Sequence, residues 1–161
     1  MVTASAVADY FLAQAQESEE PITNLKLNKL VYYAQAWHLV MFNSPLFEEE
    51  IEAWVHGPVL PAVYYSYKQF KWKPIDAGAL NLEEIKQQFT PEQQVLLDDI
   101  TEIYLPETGY ALEQLTHSED PWIFAREGLA PYEPSNNIIP HDTMKAYYAK
   151  KLVDEETSEA C

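Results

Sequence analysis

Leu25-Lys26-Leu27-Asn28-Lys29-Leu30-Val31-Tyr32-Tyr33-Ala34-Gln35-Ala36-Trp37-His38-Leu39 decides what kind of fold this chain can adopt. Leu27, Leu30, Val31, Ala34 and His38 fall at the i, i+3, i+4, i+7 spacing of a buried helix face. Thr23 or Asn24 stands where a capping side chain is needed, and Asn43-Ser44-Pro45 ends the pattern. Similar signals recur along the chain. Thr3 or Ser5 precedes Val7, Tyr10, Phe11 and Gln14, and Asn81 precedes Leu82 to Phe89. Thr90-Pro91-Glu92-Gln93 joins a cap, a first-turn proline and a glutamine that can complete a capping box, ahead of Leu96, Ile100, Ile103 and Tyr104 on one face. Tyr110 to His117, a short helix from Asp120-Pro121 through Arg126, and Thr143 to Lys151 behind Asp142 complete the set. These signals predict a mainly α protein, a single multi-helix domain of roughly eight helices.

One segment breaks the helical rule. Ile51, Ala53 and Val55 alternate with Glu50, Glu52 and Trp54, which predicts a short β element within residues 47–55. It runs into His56-Gly57-Pro58, where Gly57 can take positive φ and Pro58 keeps Gly57 out of the right-handed helical region. A structural corner is expected here, followed by a helix starting near Pro61.

The chain of 161 residues carries 26 acidic against 10 basic side chains, a net charge of −16. That surface repels phosphate backbones and disfavours nucleic-acid binding, while it speeds encounter with a basic partner. No apolar run reaches the length of a membrane span, no secretory leader is apparent, and the single cysteine, Cys161, excludes an internal disulfide. A cytoplasmic protein is expected, with a domain over residues 1–152 and an acidic, disordered tail over 153–161.

The signature segments point further. Leu25 to Leu39, Glu52 to Pro61, and Leu115-Thr116-His117-Ser118-Glu119-Asp120-Pro121-Trp122, in this order, resemble the Panacea domain, the SocA-like antitoxin or phage-associated protein family. The resemblance runs from about Val7 to Tyr148. It implies an antitoxin that binds and neutralises a cognate protein toxin; it also permits delivery of that toxin to a protease, or a nucleic-acid-associated regulator. Asn28 stands where the family pattern suggests glutamine. The residues that carry the resemblance are Lys26, Lys29, Trp54, His56, Gly57, Pro58, Thr116, His117, Pro121 and Trp122, with either scaffold or partner-binding roles.

Catalytic chemistry finds little support. No histidine has a metal-ligand partner at helical spacing, and no phosphate-binding glycine pattern occurs, so neither metal nor cofactor is expected. His117-Ser118-Glu119-Asp120 reads as the end of one helix and the cap of the next, with Glu119 solvated. Lys26 and Lys29 are neighbours on one helix surface, facing solvent, an acid such as Glu52, or a partner. Trp37, Trp54 and Trp122 are expected to anchor the core, with Thr116 and His117 as hydrogen-bonding partners for their indoles. Tyr67-Lys68-Gln69-Phe70-Lys71-Trp72-Lys73 alternates lysines with rings, as single-stranded nucleic acid would require; the net charge favours a helix end with its aromatics packed inward.

Overall fold

Thr23 starts the helix around which the rest of the domain is arranged, its hydroxyl accepting from the Lys26 N–H at 3.2 Å. In the computed structural model, which describes residues 1–160 with side chains through 156, this helix is α2, Asn24–Phe42. It ends where Asn43 adopts the left-handed conformation and its N–H returns to the Leu39 carbonyl at 3.1 Å. The elements before and after it are α1 (Ala4–Glu17), a hairpin of β1 (Glu52–Trp54) and β2 (Gly57–Val59), and α3 (Pro61–Tyr67) with a 3₁₀ turn over Lys68–Phe70. The remaining helices are α4 (Leu82–Lys86), α5 (Pro91–Tyr104), α6 (Gly109–His117), α7 (Asp120–Ala125) and α8 (His141–Ala160). Among the described residues this is a mainly helical domain with eight α-helices and one two-stranded antiparallel hairpin. No helix among them is long and apolar enough to cross a membrane.

The caps explain the boundaries. Thr3 accepts from Ala6, Asn81 from Glu84 and Thr108 from Ala111, and Thr90 with Gln93 forms the full capping box of α5. Glu119, not Asp120, occupies the cap position of α7, and its side chain makes no capping bond. The last helix begins at His141 and continues past Lys151 into the acidic segment as far as Ala160, while Cys161 lies outside the described residues.

The helix α2 packs against α1, α5, α6 and α8, and against α3 and β2. Burial therefore extends round α2 instead of stopping at the one face that its apolar spacing marks. Its polar side chains must then find partners inside, because an unpaired buried polar group costs about 1–3 kcal/mol. Gln35 does so by donating to the Phe47 carbonyl at 2.8 Å and accepting from the Leu46 N–H at 2.7 Å. Asn28 donates to the Asn24 side chain at 2.9 Å and accepts from the Leu60 N–H at 3.0 Å. Buried polar residues thus pin the flanking loops to the central helix.

The predicted corner is a tight hairpin. Glu52 pairs with Val59, Ala53 with Pro58 and Trp54 with Gly57, so Gly57 and Pro58 form the second strand. Pro58 has no N–H to donate across the ladder; the Ala53 carbonyl accepts instead from Arg126 Nη1 at 2.9 Å. On its other side β1 is extended by residues 137–139, where the Ala53 N–H donates to the Asn137 carbonyl and the Ile139 N–H to the Ile51 carbonyl, each at 2.8 Å. Pro61 opens α3 as the spacing predicts.

Candidate functional site

The three signature segments lie far apart in the chain, and the fold brings them together at the hairpin. Gly57 has φ of 112°, a region that side chains with a Cβ rarely adopt. A Cβ at this position would stand 2.5 Å from Lys29 Cε and 2.9 Å from Thr116 Oγ1. Glycine is thus required twice, for the backbone angle and for the close approach of the turn to α2 and α6. Lys29 Nζ donates to the Pro58 carbonyl at 3.2 Å, tying α2 to β2. His56 Nδ1 and Glu113 Oε1 are 2.5 Å apart, tying the turn to α6. Trp122 Nε1 donates to the Trp54 carbonyl at 2.8 Å, tying α7 to β1.

Around this junction the rings stack. His117 lies flat on Trp122, with centroids 4.0 Å apart and planes 15° apart, and Arg126 stands 5.2 Å from the same indole. Burial lowers the pKa of His117, and its Nε2 has no hydrogen-bond partner among the described residues. Pro121 is buried in the first turn of α7. Trp54 packs edge-on against Tyr64 at 4.9 Å, and its indole N–H donates to Glu52 Oε1 at 2.8 Å.

Several expectations are corrected here. Lys26 and Lys29 do not share a solvated or partner-facing surface: they are 4% and 0% exposed. Lys26 Nζ donates to the Leu105 carbonyl at 2.5 Å, with Glu20 3.9 Å away. The packing on every side of α2 leaves them almost no exposed surface. Glu119 is also buried, receiving Tyr33 and Tyr148 hydroxyls at 2.7 Å each and Lys151 Nζ at 3.2 Å. The indole acceptors are Tyr104, Glu52 and the Trp54 carbonyl, whereas the Thr116 hydroxyl donates to the Glu113 carbonyl. Trp72 does not pack inward but stands 78% exposed. Ile103 is exposed too, while Leu96, Ile100 and Tyr104 of the same helix are buried.

The junction opens onto a cleft of ≈ 820 Å³. Its walls include Trp54, Tyr64, Tyr65 and Trp72, with Lys29 at its base and Glu52 and Glu113 among its polar groups. Aromatic rings with a few convergent polar groups are the usual make-up of a binding surface. Sequence reasoning missed Glu113 and Arg126. The signal for Arg126 was available, because it is the one arginine of a strongly acidic chain.

The buried ammonium has a consequence for stability. Burial lowers the Lys29 pKa to about 7, and the negative charge of Glu113 opposes that shift only in part. The unfolded chain keeps the proton to near 10.5, so between pH 7 and 10 the unfolded state binds more protons than the native state. Stability is therefore expected to rise with pH across that window, by about 1 kcal/mol per pH unit from Lys29. Above it, tyrosines whose pKa is raised by burial, Tyr104 to about 12, reverse the trend. Urea unfolding at a series of pH values checks this: Lys29→Met should flatten the rise, leaving the smaller contribution of Lys26, whose pKa burial also lowers. An unchanged slope in that variant would contradict the assignment.

The comparison with known proteins agrees with this convergence of motifs. Residues 27–123 match the family model described as "Antitoxin SocA-like, Panacea domain". The chain belongs to that family. Antitoxin SocA of Caulobacter vibrioides (strain NA1000 / CB15N) is 46% identical over 63 residues, covering 39% of this chain and 34% of that relative. The match thus spans about a third of the relative's length. No solved structure matches the chain.

Proposed function

We propose that this chain is an antitoxin that neutralises a cognate protein toxin by direct, stoichiometric binding, without turnover. The observation that carries the reading is the family match over residues 27–123, which contains the hairpin together with Lys29, Glu113, Thr116 and Trp122 around it. Physical features support it. Lys29, Gly57, Pro58 and Thr116 interlock as a rigid scaffold, and a binding surface needs such support beneath it. Beside them lies an open cleft with aromatic walls. The charge of −16 favours fast capture of a partner with a less acidic or basic surface, through long-range attraction that salt screens over about 8 Å at physiological ionic strength.

The test is co-expression with the toxin that co-purifies with the chain from its native host, or with the product of a neighbouring gene that arrests growth alone. Rescue should track the ratio of the two proteins and fail once toxin is in excess. Full rescue by trace amounts of this chain, in cells lacking a protease that removes the toxin, would overturn the reading.

A further inference from the structure

A second depression in the surface shares α2 and α6 with the hairpin cleft but none of its lining residues. It is a groove of ≈ 590 Å³ between the end of α2, α5, α6 and α8. Its floor is apolar, and two of its apolar side chains, Met41 and Ile103, are 57% and 60% exposed. Single exposed apolar residues need no explanation, but here they meet in one concave strip. Three carboxylates, Asp99, Glu107 and Glu155, also line the groove, against one cation, Lys151. That lysine already lies 3.2 Å from the buried Glu119.

An apolar floor with an acidic border sets the chemistry of what fits. A second copy of this chain would bring another −16 of charge against the same carboxylates. An amphipathic helix with leucine-like anchors at i, i+3 or i+4, and i+7, flanked by lysine or arginine, would satisfy both the floor and the rim. We infer that this groove seats a basic amphipathic helix, contributed by the toxin. The inference rests on the antitoxin reading only for the source of the helix.

Because Ile103 and Met41 are exposed, Ile103→Glu and Met41→Glu should fold normally, which circular dichroism and thermal melting verify. The probe is a leucine/lysine helical peptide of about 18 residues, with a leucine/glutamate peptide of the same pattern as control. The wild-type chain should bind the lysine peptide saturably and ignore the glutamate peptide. Ile103→Glu should weaken binding by about tenfold or more, although it adds a negative charge. Unchanged or tighter binding in that variant would mean attraction by net charge alone and would overturn the groove. Dimerisation of the wild type that Ile103→Glu abolishes would overturn it in favour of a second copy. Neutralisation separates the remaining possibilities. Loss of toxin neutralisation in both folded variants supports the toxin as the source of the helix, while full neutralisation by them overturns that source and leaves stoichiometric binding standing. A wild-type chain that binds the peptide but neutralises no toxin would sink the antitoxin reading and not the groove.

Discussion

Gly57→Val is expected to destabilise the domain by several kcal/mol, roughly 2–6, a large share of the 5–15 kcal/mol that ordinary domains possess. Two costs coincide at this residue. The φ of 112° is strained for any side chain bearing a Cβ, at about 1–3 kcal/mol. The added carbon would also fall 2.5 Å from Lys29 Cε, and that methylene has little room to retreat because Lys29 is wholly buried with its Nζ held by the Pro58 carbonyl. Gly78 separates the two terms. It too has positive φ, 71°, but a Cβ there would meet nothing within 4 Å. Urea unfolding of Gly57→Ala and Gly78→Ala should therefore show the larger loss at Gly57 by about 1–3 kcal/mol, the cost of overpacking. Equal losses would show that the close approach of hairpin to helix costs nothing.

The second large effect is expected at Glu119. Its Oε1 accepts from both Tyr33 and Tyr148, and its Oε2 lies 3.2 Å from Lys151 Nζ. The Tyr148 hydroxyl lies 3.0 Å from that of Tyr32, so one carboxylate orders three buried tyrosines between α2 and α8. Tyr33 also stacks on Tyr104 at 4.2 Å, which carries the same cluster to α5. Glu119→Ala strands two hydroxyl donors and opens a cavity, and should cost about 3–5 kcal/mol. Glu119→Gln keeps one acceptor oxygen and nearly the same volume, so it should cost less than half as much. Thermal unfolding of the two variants decides: an alanine variant within 0.5 kcal/mol of the wild type, the usual range of a surface change, would mean that the tyrosine network is not coupled to folding.

Much of this fold could be read from local signals. Thr23, Thr90 with Gln93, and Pro61 mark helix starts in the sequence because capping and first-turn chemistry act within a few residues. What could not be read depends on contacts across the chain. Lys26 and Lys29 look like surface residues because their spacing describes only their own helix, while burial is imposed by the elements packed around it. Glu119 looks solvated for the same reason, since its partners Tyr33 and Tyr148 are 86 and 29 residues away. The strand Gly57–Val59 was masked by its own composition: glycine and proline argue against a strand, yet Pro58 is tolerated because Arg126 takes the carbonyl it leaves free on Ala53. At the candidate site, the signature motifs are the segments that converge on the hairpin, but the charged groups that link them, Glu113 and Arg126, lie outside or at the edge of those motifs.

The most direct measurement is a titration of the purified cognate toxin's activity with this chain, with no protease present. Stoichiometric binding predicts that activity falls linearly with added protein and reaches zero at a fixed molar equivalence, with a complex of that same ratio eluting on size exclusion. Activity lost at a small fraction of equivalence, with no complex recovered, would contradict it.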